Sequence, residues 1–557
     1  MDDAENPKSS SASTKQGGWI TFPFIIGTMA GMSLAAGGWV TNLIVYLMEE
    51  FNMKSINAAQ VYNVVNGCTL IFPIFGAILA DSFLGCFSVV WISALISLMG
   101  TLLLVLTAAI NKLRPPRCEN IGSNLCQNPS QLQIAMLYTG LTLASIGLAG
   151  TRYTIAPMGA NQFNKPKQQS IFINWYIVTM YIATVISSTA IVYVQDNLSW
   201  TLGYGISVAA NVVGLALFLA GHKFYRNLKP QGSPFVSLAR VVVAAVGKRK
   251  VLVSSNSEDY YQGQLDGEDK KVHFALPTKS FSRFLNRAAL KAEGDTNPTN
   301  GHLEKPWKLC TVQEVEDFKG LIKLVPIWST GLFLCTPLVI QLSMTVIQAL
   351  AMDRHLGSSF KIPASTMQIF ILMSTSITII FIDRLIFPLW EKIIGGRSPV
   401  LTPLKRIGIG HLMTILSMAV SALVESRRLK IVHQKGAEPM SVLWLVPGLA
   451  IAGIGEGFHF PGNVSFYYQE FPVSLKSTST AIVAMFIGIA FYLGNAVMDL
   501  VRKTTDWLPD DINKGRLDYV FWACCVVGAI NFGYYLVCVS MYKYHNVEKV
   551  TTKDYPK

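Results

Sequence analysis

Twelve runs of apolar residues, each long enough to cross a bilayer, constrain this chain more than any other feature of its sequence. An α-helix rises 1.5 Å per residue, so about 20 apolar residues span the roughly 30 Å hydrocarbon core. Hydrophobic residues make up 51% of the 557 residues and charged residues only 14%. We therefore predict an all-α integral membrane protein with twelve transmembrane helices, near 20–48, 60–80, 87–110, 132–158, 171–194, 200–221, 324–350, 362–382, 399–424, 441–468, 477–501 and 518–541.

The charges predict how the chain is oriented and divided. Basic residues follow the sixth run in "HKFYRNLK" and precede the seventh in "KGLIK", and short basic flanks favour the cytosolic side. We expect two six-helix halves at 20–222 and 320–542, a cytosolic central loop at 223–319, and cytosolic tails at 1–19 and 543–557. The first tail is polar and lacks the pattern of a cleaved signal peptide, so we expect it to be disordered.

The net charge of +13 is concentrated in loops, which favours membrane orientation over binding of nucleic acid. The middle of the central loop, as in "EGDTNPTNGHLEK", is too polar and turn-rich to bury a core. Beside it, "PFVSLARVVVAAVGKRK" has the periodicity of an amphipathic helix with a basic end, which predicts an interfacial helix. A plain helical linker is the alternative.

The sequence has neither the metal-ligand patterns nor the catalytic motifs of most enzymes, and two of its cysteines have another use. Cys118 and Cys126 lie on the loop between spans three and four, which the topology places outside, so they either form a small disulfide or stay as free thiols. No clustered His and Cys pattern indicates a metal, and no phosphate loop or nucleophile elbow occurs. We expect no enzyme activity, no metal and no cofactor.

Few ionisable side chains lie inside the predicted spans, where they are costly and usually face a cavity. Arg152 follows Gly150 in "GLAGTRYT", Glu456 lies near the middle of span ten, and His459 follows one turn later; His411 is a weaker fourth candidate. A guanidinium offers planar donors to a small oxyanion or carboxylate, so Arg152 predicts an anionic substrate. A structural Arg paired with a carboxylate of span ten is the alternative.

Glu456 and His459 are spaced i,i+3, which places them on one helix face where they can share a proton or a hydrogen bond. Either residue could neutralise Arg152 across the two halves when no substrate is bound. An equally good interpretation is that His459 is a structural residue, packed between helices with its hydrogen bonds made.

Several motifs in order, "GWITFPFIIG", "AILADSFLG", "MGANQFN", "TPLKRIGIG" and "LDYVFW", resemble the plant nitrate and peptide transporter family. That family is the proton-dependent oligopeptide transporter branch of the major facilitator superfamily. The resemblance implies two six-helix halves around a central cavity that opens to either side in turn. It also implies that Asp81 and Gly85 help to lock one state, although Cys86 replaces the usual basic residue, and that Arg152 replaces a cavity-facing Lys.

The resemblance places the family's E-x-x-E-R proton-coupling motif at Met29, Met32 and Ser33, none of which can titrate. Its span-seven nitrate-binding His falls near Leu338 and is also missing. Members without the proton motif resemble the nitrate excretion transporter subgroup of plant plasma-membrane exporters. We therefore expect facilitated export of a small anion, nitrate first and chloride second, across the plasma membrane, with the vacuolar membrane as the alternative.

Three alternatives remain open. Glu456 and His459 could support proton-coupled uptake. Small residues at 35–38, where the family often has paired tyrosines, would widen the cavity for glycosides or alkaloids, on which Tyr153, Trp175 and Tyr181 would stack. The chain could also bind an anion as a sensor that scarcely transports it.

Overall fold

The computed structural model is almost entirely helical in the part of the chain that it describes. It describes residues 16–118, 126–152, 154–226, 232–262, 283–291, 307–358, 360–394, 402–434, 436, 438–471 and 479–542. Residues 1–15 of the predicted N-terminal tail and the whole predicted tail 543–557 lie outside these ranges.

The helices are numbered in chain order. They are α1 Phe22–Val40, α2 Leu43–Glu49, α3 Ser55–Ile71, α4 Pro73–Leu79, α5 Gly85–Ala109, α6 Gln131–Arg152, α7 Ile155–Ala160, α8 Pro166–Ile186, α9 Val192–Asn197, α10 Trp200–Ala220, α11 Pro234–Gly247, α12 Val312–Leu350, α13 Ile369–Phe381, α14 Phe387–Ile394, α15 Pro403–Val432, α16 Val446–Glu470, α17 Ser479–Thr504 and α18 Leu517–Met541.

Shorter elements connect these helices. Five-residue π-helical segments continue α4, α8 and α13 at Ala80–Leu84, Ser187–Ile191 and Ile382–Ile386. A small antiparallel hairpin pairs β1, His355–Leu356, with β2, Phe360–Lys361.

Eleven helical stretches of the described residues are long and apolar enough to cross a membrane. One of them, Ser55–Ala109, is 55 residues long and covers two of the predicted runs, 60–80 and 87–110. A 55-residue helix would measure about 80 Å, far more than one crossing needs. Its path is broken at Gly85, whose φ of +77° lies in the left-handed region that favours glycine. The stretch therefore has the length for two spans, in agreement with the predicted twelve.

The described residues form two compact units. Unit 1 holds the described residues of 1–52, 75–121 and 125–230, and unit 2 holds those of 53–74 and 231–557. Unit 2 therefore includes α3, although its sequence position lies in the predicted first half.

Polar contacts explain why α3 groups with unit 2. The Asn63 amide donates to Asn495 Oδ1 at 2.9 Å, and the Gln60 amide donates to Asp499 at 2.6 Å, both on α17. Lys54, which precedes α3, pairs with Asp510 beyond the end of α17 at 2.6 Å. Hydrogen bonds inside membrane bundles hold neighbouring helices together, so α3 and α17 pack as one pair.

Within unit 1, α5 and α6 approach closely because small residues face each other. A Cβ added to Gly100 would lie 2.8 Å from Ala144 Cα, and one added to Gly147 would lie 2.5 Å from Ser97 Cα. Small residues of this kind let membrane helices pack backbone to backbone. This contact fixes the course of α6, which ends at Arg152.

The flanks of the central loop fold, and they bury a core that the polar sequence did not suggest. Val241, Tyr260, Leu285, Cys310 and Val315 belong to one buried cluster built from α11, the 3-10 helix Arg283–Ala289 and the first turns of α12. The apolar face of α11 supplies the partners that the polar middle lacks. The segment "EGDTNPTNGHLEK", residues 293–305, lies entirely outside the described residues.

Candidate functional site

Glu456 lies midway along α16 and is partly buried. Its Oε2 accepts a hydrogen bond from the Thr375 hydroxyl of α13 at 3.4 Å. Within the described residues of unit 2, no Lys, Arg or His lies within ion-pair distance of this carboxylate. An intramembrane carboxylate held by one hydroxyl and by no cation can accept either a proton or a positive charge.

His459 is buried one turn later on the same helix and faces different partners. Its Nε2 lies 2.8 Å from the Asn463 amide nitrogen, which indicates that this nitrogen accepts the bond. Its ring meets the His411 ring of α15 edge to face at 5.7 Å, and His411 stacks on Tyr535 at 4.6 Å. In this structure Glu456 bonds to Thr375 and His459 to Asn463, and the two side chains do not hydrogen-bond to each other.

Glycines set the position of α16 between its neighbours. A Cβ added to Gly457 would lie 2.8 Å from Thr378 Cβ of α13, and one added to Gly410 of α15 would lie 2.6 Å from His459 Cβ. The glycines of the run "GIGEGF", which also contains Glu456, therefore allow α16 to pack closely against its neighbours.

A small cavity of about 20 Å³ lies beside His459 inside unit 2. Trp328, Cys335, Asn463, Tyr467 and Phe486 line it with other residues. This space holds about one water molecule, beside one imidazole and one amide.

Arg152 is the last residue of α6, and its side chain is exposed. Within the described residues of unit 1, no acceptor lies within hydrogen-bond or ion-pair distance of its guanidinium. The structural alternative, an Arg paired with a carboxylate of span ten, involves α16 of unit 2 and stays a prediction. Glu456 and His459 belong to unit 2, so their predicted pairing with Arg152 stays a prediction.

The three untitratable positions on the first span are packing residues in unit 1. Met29 is buried in a cluster with Ile155 and Phe218, and Met32 is buried against Ala94 and Leu215. The Ser33 hydroxyl lies 3.6 Å from the Met29 sulfur. Apolar packing has taken the place of the three ionisable groups that the resemblance leads one to expect.

Small residues at 35–38 also serve packing. A Cβ on Gly37 would overlap the Ser187 hydroxyl, and one on Gly38 would overlap the Ser207 hydroxyl. Helices of unit 1 therefore fill the space beside both glycines. Of the aromatic side chains considered for stacking, Trp175 is exposed, Tyr181 is partly buried, and Tyr153 lies outside the described residues.

Asp81 and Gly85 lie together where α4 gives way to α5. Asp81 belongs to the π-helical segment Ala80–Leu84, and the positive φ of Gly85 follows directly. Nothing lies within 4 Å of a Cβ built on Gly85, so its backbone conformation rather than space requires glycine.

The comparisons with known proteins agree with this helical architecture. The family model described as "PTR2: POT family" matches residues 87–513. The chain belongs to the POT family. Protein NRT1/PTR FAMILY 2.7 of Arabidopsis thaliana is 53% identical over 98% of this chain and 97% of its own length. Protein NRT1/PTR FAMILY 2.5 of the same plant is 51% identical over 99% and 97%.

A solved structure supports the fold. The chain superposes on the in meso crystal structure of the POT family transporter PepTSo with a TM-score of 0.66, at 16% identity, covering 94% of this chain and 99% of that one. Membership in the POT family confirms that the chain is a membrane transporter rather than an enzyme, and it confirms the major facilitator fold.

Two buried polar networks of this POT-family chain escaped the sequence analysis because they lie near span ends. In unit 2, Arg428 pairs with Glu425 at 2.7 Å and donates to Asn513 at 2.6 Å, while Gln348 donates to Glu425 at 2.7 Å. Glu425 and Arg428 are almost fully buried. The i,i+3 spacing of Glu425 and Arg428 in the sequence could have predicted this ion pair.

The second network joins the loop after α5 to the end of α2 in unit 1. The buried Glu50 carboxylate binds both Arg114 and Arg117. Arg117 directly precedes Cys118, which the structure joins to Cys126 in a disulfide. The disulfide therefore begins at the residue next to Arg117.

Proposed function

We propose that this transporter exports a small anion down its electrochemical gradient, nitrate first and chloride second, across the plasma membrane. The observation that carries the proposal is Arg152, an exposed guanidinium inside a predicted span, with no partner among the described residues of its unit. An unpaired cation in a low-dielectric setting is stabilised by a bound anion, and its planar donors suit an oxyanion.

The packing of the first span supports the uncoupled part of the proposal. Met29 and Met32 are buried among apolar side chains, so this span offers no proton site at the positions where the family has one. Export needs no proton, because a membrane potential that is negative inside drives an anion outward by about 2.3 kcal/mol per charge per 100 mV.

Proton-coupled transport is the second candidate, and Glu456 favours it. This carboxylate is partly buried, bonds only to the Thr375 hydroxyl among the described residues and has no cationic partner among those of unit 2. Such a group can bind and release a proton during a transport cycle. Export of bulkier metabolites is less well supported, because packing accounts for Gly37 and Gly38.

The test measures nitrate flux in proteoliposomes at a fixed imposed voltage. Loss of a charge-assisted hydrogen bond costs about 1.5–3 kcal/mol, so Arg152→Ala should lower flux at limiting nitrate by roughly ten- to a hundredfold. Arg152→Lys should keep part of the flux, because the charge remains while the planar fork is lost.

Arg427 provides the matched control. It is an exposed arginine of α15 that lies 4.4 Å from the centre of the Trp444 ring. Arg427→Ala removes one positive charge and should leave flux near that of the native protein. Native flux in Arg152→Ala, at equal reconstituted amounts, would refute the assignment of Arg152.

A further inference from the structure

The helix α11 of the central loop is apolar on two sides. On one side Phe235 and Leu238 pack against the core that α12, α16 and α18 form, and Val241, Ala244 and Ala245 enter the core of the loop. This side is covered by protein. The first turns of α11 therefore lie against membrane-spanning helices.

The other side is uncovered. Val242, Val243 and Val246 are 42%, 49% and 58% exposed, and their spacing of one, three and four residues places them in one stripe. Nearby along the folded loop, Leu252 is 87% exposed and Phe284 57%. Several exposed large apolar side chains on one helix side and the segments beside it favour an interaction site over a solvated face.

Basic side chains accompany this stripe. Arg249 and Lys250 follow α11 directly and are exposed, and Arg283 precedes the exposed Phe284. The Arg287 guanidinium donates to the Arg249 carbonyl at 2.7 Å, so the two basic segments lie side by side. An apolar stripe with a basic border is the pattern of helices that lie in the interface of an anionic membrane.

We propose that the valine stripe of α11 and its basic border dock on anionic phospholipid of the leaflet that faces the central loop. Two observations favour lipid over a protein partner. The covered side of α11 packs against membrane-spanning helices, which places the helix beside the bilayer. The border is basic and complements anionic headgroups, while the stripe reaches the acyl boundary.

Photo-crosslinking in nanodiscs tests this docking in the full chain. A benzophenone amino acid replaces Val246, and Asn256, an exposed polar position of the same loop, provides the matched control. Nanodiscs contain phosphatidylcholine alone or with phosphatidylserine added. We expect lipid adducts at position 246, more of them when phosphatidylserine is present, and few at position 256 in either membrane.

A charge variant tests the basic border separately. Each basic residue near an anionic surface contributes about 1 kcal/mol, so Arg249→Gln and Lys250→Gln should each lower the excess of adducts in phosphatidylserine nanodiscs by up to roughly fivefold. Equal yields at positions 246 and 256, equal yields in both membranes, or adducts to a second copy of the chain would each overturn the proposal.

Discussion

The substitution Gly38→Ala separates packing from cavity shape on the first span. Gly38 is buried, and a Cβ added to it would overlap the Ser207 hydroxyl of α10 and lie 3.2 Å from Ile191 Cγ2. Overpacking a well-packed core costs about 1–3 kcal/mol. We therefore expect Gly38→Ala to lower the melting temperature of the purified transporter.

A second substitution tests the cause of that loss. Without the hydroxyl, the nearest Ser207 atom to the new methyl is Cβ at 3.4 Å, an ordinary contact. Ser207→Ala gives up only one hydrogen bond, to the Gly203 carbonyl at 3.3 Å. The double variant Gly38→Ala/Ser207→Ala should therefore be more stable than Gly38→Ala alone. If the two substitutions acted independently, the double variant would instead be the less stable of the two.

Differential scanning fluorimetry in detergent measures the four proteins of this cycle, and nitrate flux in proteoliposomes shows whether each is active. A Gly38→Ala variant of native stability, whose flux shifted between nitrate and a bulky glycoside, would refute the packing argument. In that case Gly38 would line the path of a larger solute.

Three further predictions follow from the packing of unit 2. Gly410→Ala should reduce nitrate flux, because the added Cβ would lie 2.6 Å from His459 Cβ and displace the imidazole. The control Gly533→Ala should keep native flux, because nothing lies within 4 Å of its added Cβ. Arg428→Leu should destabilise the protein by about 3–5 kcal/mol, because it leaves the buried Glu425 carboxylate without its cation. The double variant Glu425→Leu/Arg428→Leu should recover much of that loss, as thermal melts would show. Burial raises the pKa of the Cys310 thiol to about 11, so maleimide should label it at about pH 8 only after denaturation, as peptide mass spectrometry would show.

Hydropathy and charge were sufficient to predict the helical architecture, since a span must satisfy its backbone internally and must be about 20 residues long. They could not place α3, because its grouping with α17 depends on polar contacts such as Asn63 with Asn495. Nor could they show that two membrane-length runs meet at Gly85, which required the backbone angle.

The candidate site was predictable in its residue types and less so in its contacts. Glu456 and His459 stand out because charge is rare inside spans, but helical spacing alone cannot say that one faces Thr375 and the other Asn463. Gly37 and Gly38 were equally ambiguous, since a missing side chain can open a cavity or admit a neighbouring helix. Only the positions of Ser187 and Ser207 distinguish these two roles.

The central claim is that this transporter moves an anion downhill without using a proton gradient. Nitrate uptake into proteoliposomes, measured at zero voltage with and without an inward proton gradient and then under voltage alone, tests it most directly. We predict that voltage drives accumulation and that the proton gradient alone drives none. Accumulation above equilibrium driven by protons in the native protein, and lost in Glu456→Gln, would contradict the claim and assign proton coupling to α16.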